Sequence, residues 1–172
     1  MEDTTEHQFP NQSTSINNKC VLVVGGAGYI GSHICKVLSK NGHTPIVVDH
    51  NIEEKPWATS FGLAFNLNLP QEMHRLDDIV KRYNIDCCMH LAAYTAVGES
   101  VVNPTKYYKN NVAMTLQLIN KLNNLNVKKF IFASTFAVYG DNEKEILNEK
   151  DTCNPKSIYG VSKKACEDYI KI

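Results

Sequence analysis

The 172-residue chain predicts an α/β fold, a doubly wound parallel sheet with helices on both faces. Short apolar runs recur along it, each continuously apolar rather than alternating, as suits strands buried on both faces. Segments with apolar residues at helical spacing lie between them, so strand and helix alternate as in crossover units. A glycine-rich string, Gly25-Gly26-Ala27-Gly28-Tyr29-Ile30-Gly31, joins the first run directly to the first helical segment.

Residues 1–18 carry Gln, Asn, Ser and Thr and little that is apolar. They bury too little to offset the entropy of ordering and are expected to form a disordered tail, leaving 19–172 as the domain. Residues 20–24 read as the first strand and 30–40 as a helix closed by Asn41-Gly42. Residues 45–49 make a second strand, 51–62 a loop with Pro56 and the only tryptophan, Trp57, and 63–67 a third strand. A helix over 70–83 would carry Pro70 near its first position. Residues 87–92 read as the fourth strand. A long helix over 104–125 would bury a stripe of Tyr108, Val112, Thr115, Ile119 and Leu122. Residues 130–134 read as the fifth strand and 157–172 as the last helix.

Composition excludes several classes. Lys and Arg number 18 and Asp and Glu 18, so there is no electrostatic footprint for a nucleic acid or an anionic membrane. No run approaches the roughly 18 apolar residues of a membrane span. The polar, acidic start is unlike a secretory signal. Six cysteines show neither CxxC nor zinc spacing, and are expected to be reduced and mostly buried in a cytoplasmic protein. No metal site is expected.

Glycines at 25, 28 and 31 allow a tight turn, close approach of backbone to a pyrophosphate, and close helix–strand packing. Asp49 ends the second strand about twenty residues on, where a carboxylate binds a ribose 2′-OH. A carboxylate there would repel a 2′-phosphate, which favours NAD over NADP. The plainer alternative for Asp49 is a strand-end carboxylate capping a turn. Tyr159 and Lys163 stand four apart on the last helix, and an ammonium beside a phenol favours its phenolate. Such a tyrosine can take the proton of an alcohol while hydride leaves the same carbon. Ser134-Thr135 ends the fifth strand, at the strand ends where such sheets bind ligands, and a hydroxyl there can orient that proton.

These residues resemble the extended short-chain dehydrogenase/reductase family, and within it the UDP-glucose (UDP-galactose) 4-epimerases, from about Lys19 to Ile172. The motifs are Gly-Gly-Ala-Gly-Tyr-Ile-Gly-Ser-His (25–33), His-Leu-Ala-Ala (90–93), Ala-Val-Gly-Glu-Ser (96–100), Asn-Pro-x-x-Tyr-Tyr-x-Asn-Asn-Val (103–112), Ser-Thr-Phe-Ala-Val-Tyr-Gly (134–140) and Tyr-Gly-x-Ser-Lys (159–163). The resemblance implies a Rossmann-like domain holding NAD, which takes and returns the C4 hydride of a UDP-hexose. It makes Tyr159 the proton acceptor, Thr135 its hydroxyl partner, and Lys163 both the tuner of Tyr159 and a ligand of the nicotinamide ribose. Tyr29 and Ile30 would approach the pyrophosphate. Asp49, His50 and Asn51 would approach the adenosine, and Asn68 and Leu69 its adenine. Leu91, Ala92 and Ala93 would line the cofactor, with Asn110 near its nicotinamide half. Helices 104–125 and 157–172 would form a homodimer interface.

Thr95 stands where these epimerases carry a cofactor-binding Lys, Asn68 where they carry an adenine-binding Asp, and Thr135 where Ser is usual. The family's C-terminal substrate domain has no counterpart, so the chain is expected to be a truncated form, poorly active alone. A 4,6-dehydratase would follow the Thr with Asp-Glu; Phe136 and Ala137 cannot do that acid–base work. A UDP-pentose 4-epimerase and a non-catalytic NAD-binding fragment are the other readings.

Overall fold

The computed structural model describes residues 18–142 and 144–172; the tail expected over 1–18 falls, Asn18 apart, outside them. Five strands, β1 (Cys20–Val24), β2 (Thr44–Asp49), β3 (Leu63–Asn66), β4 (Cys87–His90) and β5 (Lys129–Phe132), form one parallel sheet in the order β3-β2-β1-β4-β5. The chain winds outward from β1 to β3, then returns to β1's other side for β4 and β5. That reversal leaves a crevice at the carboxyl ends of β1 and β4. In register, Val24 lies level with Val48 on one side and His90 on the other.

Alternate residues of β1 serve two cores, which is why the strand is apolar throughout. Leu22 and Val24 face a layer with Ile46, Cys88, Leu118 and Leu122. Val21 and Val23 face one with Cys35, Val47 and Ala58. The helices are α1 (Tyr29–Lys40), α2 (Leu76–Tyr83), α3 (Val97–Val102), α4 (Pro104–Tyr107), α5 (Met114–Asn124) and α6 (Ile158–Lys171). Among the described residues no helix is long and apolar enough to cross a membrane. All six cysteines are free thiols; Cys35, Cys88 and Cys166 are buried and the other three partly so.

Several details differ from the sequence reading, and one is that the fifth strand runs Lys129–Phe132, so that Ser134 and Thr135 stand just past its end. The helix expected from Pro70 begins at Leu76, because Glu72 ties the Asn68 amide (2.8 Å) and the Arg75 guanidinium (2.7 Å) into a tight turn before it. The fourth strand stops at His90, since the amides of Leu91 and Ala92 both donate to the Val24 carbonyl (2.8 and 3.1 Å) and swing the chain off the sheet. Residues 97–102, to which the sequence assigned no element, are helical. Between α4 and α5, residues Tyr108–Ala113 form a π-helical turn. Its wider turn rotates the buried face by about one position. Tyr107 is therefore fully buried and Tyr108 is exposed, and Leu118 is more deeply buried than Ile119; Val112, Thr115 and Leu122 lie inward as expected.

Candidate active site

A cleft of about 350 Å³ opens at the carboxyl ends of β1, β2 and β4. Its wall begins at Gly25, which adopts φ +83°, and a Cβ there would lie 2.5 Å from the Ala92 nitrogen. Gly28 lines the cleft and heads α1 without a side-chain cap, so the first amides of the helix keep free donors. Tyr29 and Ile30 follow with exposed side chains, outside the cleft, and Gly31 packs back against the Gly25 carbonyl. A cradle of this shape fits a dinucleotide pyrophosphate. Gly25→Ala is expected to cost about 2–4 kcal/mol in urea denaturation, from left-handed strain and overpacking together. At Gly28 an added Cβ meets only the Gly25 carbonyl, at 3.3 Å. Gly28→Ala is thus expected to leave stability within about 1 kcal/mol while weakening nucleotide binding.

Asp49, buried at the end of β2, uses both carboxylate oxygens. One accepts the Ala27 amide (3.0 Å); the other accepts the His50 amide (2.8 Å) and the Lys55 ammonium (2.9 Å). Asp49, His50, Asn68 and Leu69 line one half of the cleft, and Leu91, Ala92, Ala93 and Asn110 the other. Asn51, at φ +53°, turns the chain into a short 3-10 helix outside it, and Thr95 is exposed outside it as well. Lys55, Tyr94 and Met114 line the cleft without having been singled out from sequence. Trp57 was noted only as a loop residue, yet its indole N–H donates to the Ala27 carbonyl at 2.7 Å and so braces the glycine loop.

Thr135, Tyr159 and Lys163 do not line this cleft; they lie toward the β5 end of the sheet, where Lys163 meets Phe132, the last residue of β5. Ser157 caps α6 by accepting the Gly160 amide at 3.0 Å. A Cβ on Gly160 would lie 2.6 Å from the Ala137 carbonyl, so glycine lets α6 lie against the 3-10 turn Phe136–Val138 that follows Thr135. Thr135 Oγ1 accepts the Ala137 amide (3.2 Å), which leaves its hydroxyl proton to donate elsewhere. Ser134 instead donates to Glu167. Tyr159 is buried in the first turn of α6, and Lys163 lies one turn on, 3 % exposed. The Lys163 ammonium sits 4.2 Å from the Phe132 ring centre, and among the described residues no carboxylate pairs with it. Burial lowers its pKa from 10.5 to about 8.

Asn111 was missed in favour of its neighbour Asn110. It is fully buried in the π-helical turn. Its amide oxygen accepts the Tyr94 amide (2.9 Å), and its amide nitrogen donates to the Tyr94 carbonyl (2.9 Å) and to Ser162 Oγ (3.2 Å). One side chain thus ties the cofactor-side loop after β4 to the helix bearing Tyr159 and Lys163. The adjacent Asn-Asn pair was a signal in the sequence, but which of the two points inward depends on the π turn.

The profile of the NAD dependent epimerase/dehydratase family matches residues 21–172. The UDP-glucose 4-epimerase of Rhizobium meliloti is 35% identical over 156 residues, which cover 91% of this chain and 47% of that protein. A UDP-glucose 4-epimerase of Klebsiella pneumoniae is 39% identical over 131 residues, 72% of this chain and 94% of that sequence. The crystal structure of UDP-glucose 4-epimerase from Brucella ovis in complex with NAD superimposes with a TM-score of 0.81 at 34% identity, covering 89% of this chain and 47% of that one. The Bifidobacterium longum enzyme in complex with NAD+ and UDP gives 0.81 at 31% identity, covering 89% and 48%. The chain spans about half the length of most of the relatives it matches. With a family profile over nearly the whole domain, a five-stranded parallel sheet and a glycine cradle at its switch point, this chain belongs to the NAD dependent epimerase/dehydratase family.

Proposed function

We propose that the domain formed by residues 19–172 holds NAD and carries the proton-transfer residues for the interconversion of UDP-glucose and UDP-galactose at C4. The observation that carries this reading is the seating of α6, with Tyr159 and Lys163, against the turn capped by Thr135, in the domain that carries the glycine cradle. The cradle amides at the head of α1 would hold the pyrophosphate, Asp49 a ribose hydroxyl, and Asn68 and Leu69 the adenine. Leu91, Ala92, Ala93 and Asn110 would flank the nicotinamide half. NAD, when bound, takes up and returns a hydride at the sugar carbon. The phenol oxygen of Tyr159 accepts the C4 hydroxyl proton and later returns it, while Thr135 donates a hydrogen bond that orients that oxygen. Lys163, one helix turn on from Tyr159 and resting on the Phe132 ring, would supply positive charge to the phenol.

The substrate class, a UDP-hexose, is supported by the names of the relatives and solved structures. Phe136 and Ala137 after Thr135 disfavour dehydration. A homodimer is supported by the apolar groove between α4, the π turn and α6, lined by Pro104, Tyr108, Val112, Ile158, Val161 and Ala165. Isologous pairing of this face would bury it. Six free thiols support a reducing, cytoplasmic location.

Native mass spectrometry is expected to show one NAD for each 19.3 kDa polypeptide, with the dimer carrying two. A folded but bare polypeptide in the presence of excess NAD would overturn the nucleotide reading. If NAD-loaded protein leaves UDP-galactose unconverted while sugars of another class react, the substrate assignment falls and the cofactor assignment stands.

A further inference from the structure

The residue before Gly28 is held from both sides. Ala27 is buried; its amide donates to Asp49 Oδ2 at 3.0 Å, and its carbonyl accepts the Trp57 indole N–H at 2.7 Å. Each peptide unit is planar, so the first bond fixes the plane between Gly26 and Ala27 and the second the plane between Ala27 and Gly28. No backbone amide among the described residues takes the Ala27 carbonyl, which leaves Trp57 to satisfy it. The bracket closes on itself. Lys55, two residues before Trp57, donates to Asp49 Oδ1 (2.9 Å), and Pro56 between them has its φ fixed by its ring. One short loop thus grips both Ala27 and the carboxylate that Ala27 binds. Gly28 comes next and lines the cleft, whereas neither Ala27 nor Trp57 does.

We propose that Trp57 is a positioning residue for the pyrophosphate. Acting through Ala27, it sets the direction of the free amides at the head of α1 without touching the ligand. The inference rests on the nucleotide reading of the cleft. Gly28 has no Cβ, so without the indole tether the peptide plane ahead of it can turn, and the amides beyond would have to be ordered anew at each binding event. Holding them beforehand spares that entropy and raises affinity. The effect is confined to the diphosphate. Adenosine would reach Asp49, Asn68 and Leu69, and Asp49 keeps its bonds to the Ala27 and His50 amides and to Lys55 when the indole N–H is removed.

The test is titration of the whole chain with NADH and ADP-ribose, which carry the diphosphate, and with adenosine, which does not. Binding of NADH is read from its own fluorescence, and binding of the others from its displacement. Trp57→Phe is expected to weaken NADH and ADP-ribose by about threefold to tenfold and adenosine by less than about twofold. Because Trp57 is the only tryptophan, biosynthetic replacement by an analogue with sulfur in place of the ring N–H changes that one group alone. The analogue keeps the shape of the ring and is expected to give the same selective loss, whether or not the Phe variant folds. Equal weakening of all three ligands would make Trp57 only a support for the fold and overturn the proposal. So would unchanged binding of NADH and ADP-ribose in the sulfur analogue, and either result leaves the nucleotide site standing. Failure of the wild-type chain to bind NADH would overturn the nucleotide reading and this inference together.

Discussion

Replacing Lys163 by methionine is expected to stabilise the fold by about 2–3 kcal/mol at pH 7, while removing the charge proposed to serve Tyr159. Lys163 is 3 % exposed, has no ion-pair partner among the described residues, and rests on the face of Phe132. Burial lowers its pKa from 10.5 to about 8. Between those values the unfolded chain binds a proton that the folded chain does not. Stability contributed by this group therefore rises as pH goes from about 8 to 10.5, and its cost is fully present below about 8. Methionine fills a similar volume without a charge. Urea denaturation of both proteins at pH 7 and pH 10.5 should show the gap at the lower pH and its closure at the higher. A methionine variant less stable than wild type at pH 7, or a gap unchanged by pH, would overturn the account. A buried charge kept against stability is what a site that needs that charge looks like.

His90 is expected to make the fold sensitive to mild acid, costing about 2 kcal/mol between pH 6.5 and 4.5. Its ring is 1 % exposed, Nε2 is 2.8 Å from Thr115 Oγ1, and Nδ1 has no partner among the described residues. Burial, and then the Lys163 charge, lower its pKa from 6.5 to about 3. Here the unfolded chain protonates first, so stability is complete above 6.5 and is lost progressively as pH falls toward 3. Surface carboxylates such as Glu72, Asp77 and Asp86 are also held low, by hydrogen bonds to backbone or basic groups, but they are common to wild type and variant and cancel in the comparison. Replacing His90 by Leu together with Thr115 by Val removes both polar partners at once and leaves no orphaned hydroxyl. The double variant should lose markedly less stability than wild type from pH 6.5 to 4.5 in urea titrations at each pH. Parallel losses would show that the acid sensitivity lies elsewhere.

Tyr159, Lys163 and Thr135 could be proposed from sequence because each sits in a short motif, spaced by one helix turn or lying just past one strand. Trp57 and Asn111 could not, since each acts across a distance in sequence: Trp57 on Ala27, and Asn111 on Tyr94 and Ser162; Lys55 could not because the loop that folds it onto nearby Asp49 has no pattern of its own. Loop residues 51–62 carry no periodicity, so nothing local marks which side chain turns inward.

By itself the sequence determined the five parallel strands, the glycine cradle after the first of them and the acidic end of the second. These follow from apolar runs, turn chemistry and strand-to-helix order, all written over a few neighbouring residues. Only the tertiary structure decided where the fourth strand leaves the sheet, which face of the 104–124 helix is buried, and how fully Asp49 is occupied. The first depends on the Val24 carbonyl capturing two amides more than sixty residues away, and the second on a π turn. The third depends on a lysine that the loop folds back onto the carboxylate. In each case the outcome turns on which groups meet once the chain has closed on itself, and no pattern over a few neighbouring residues records it.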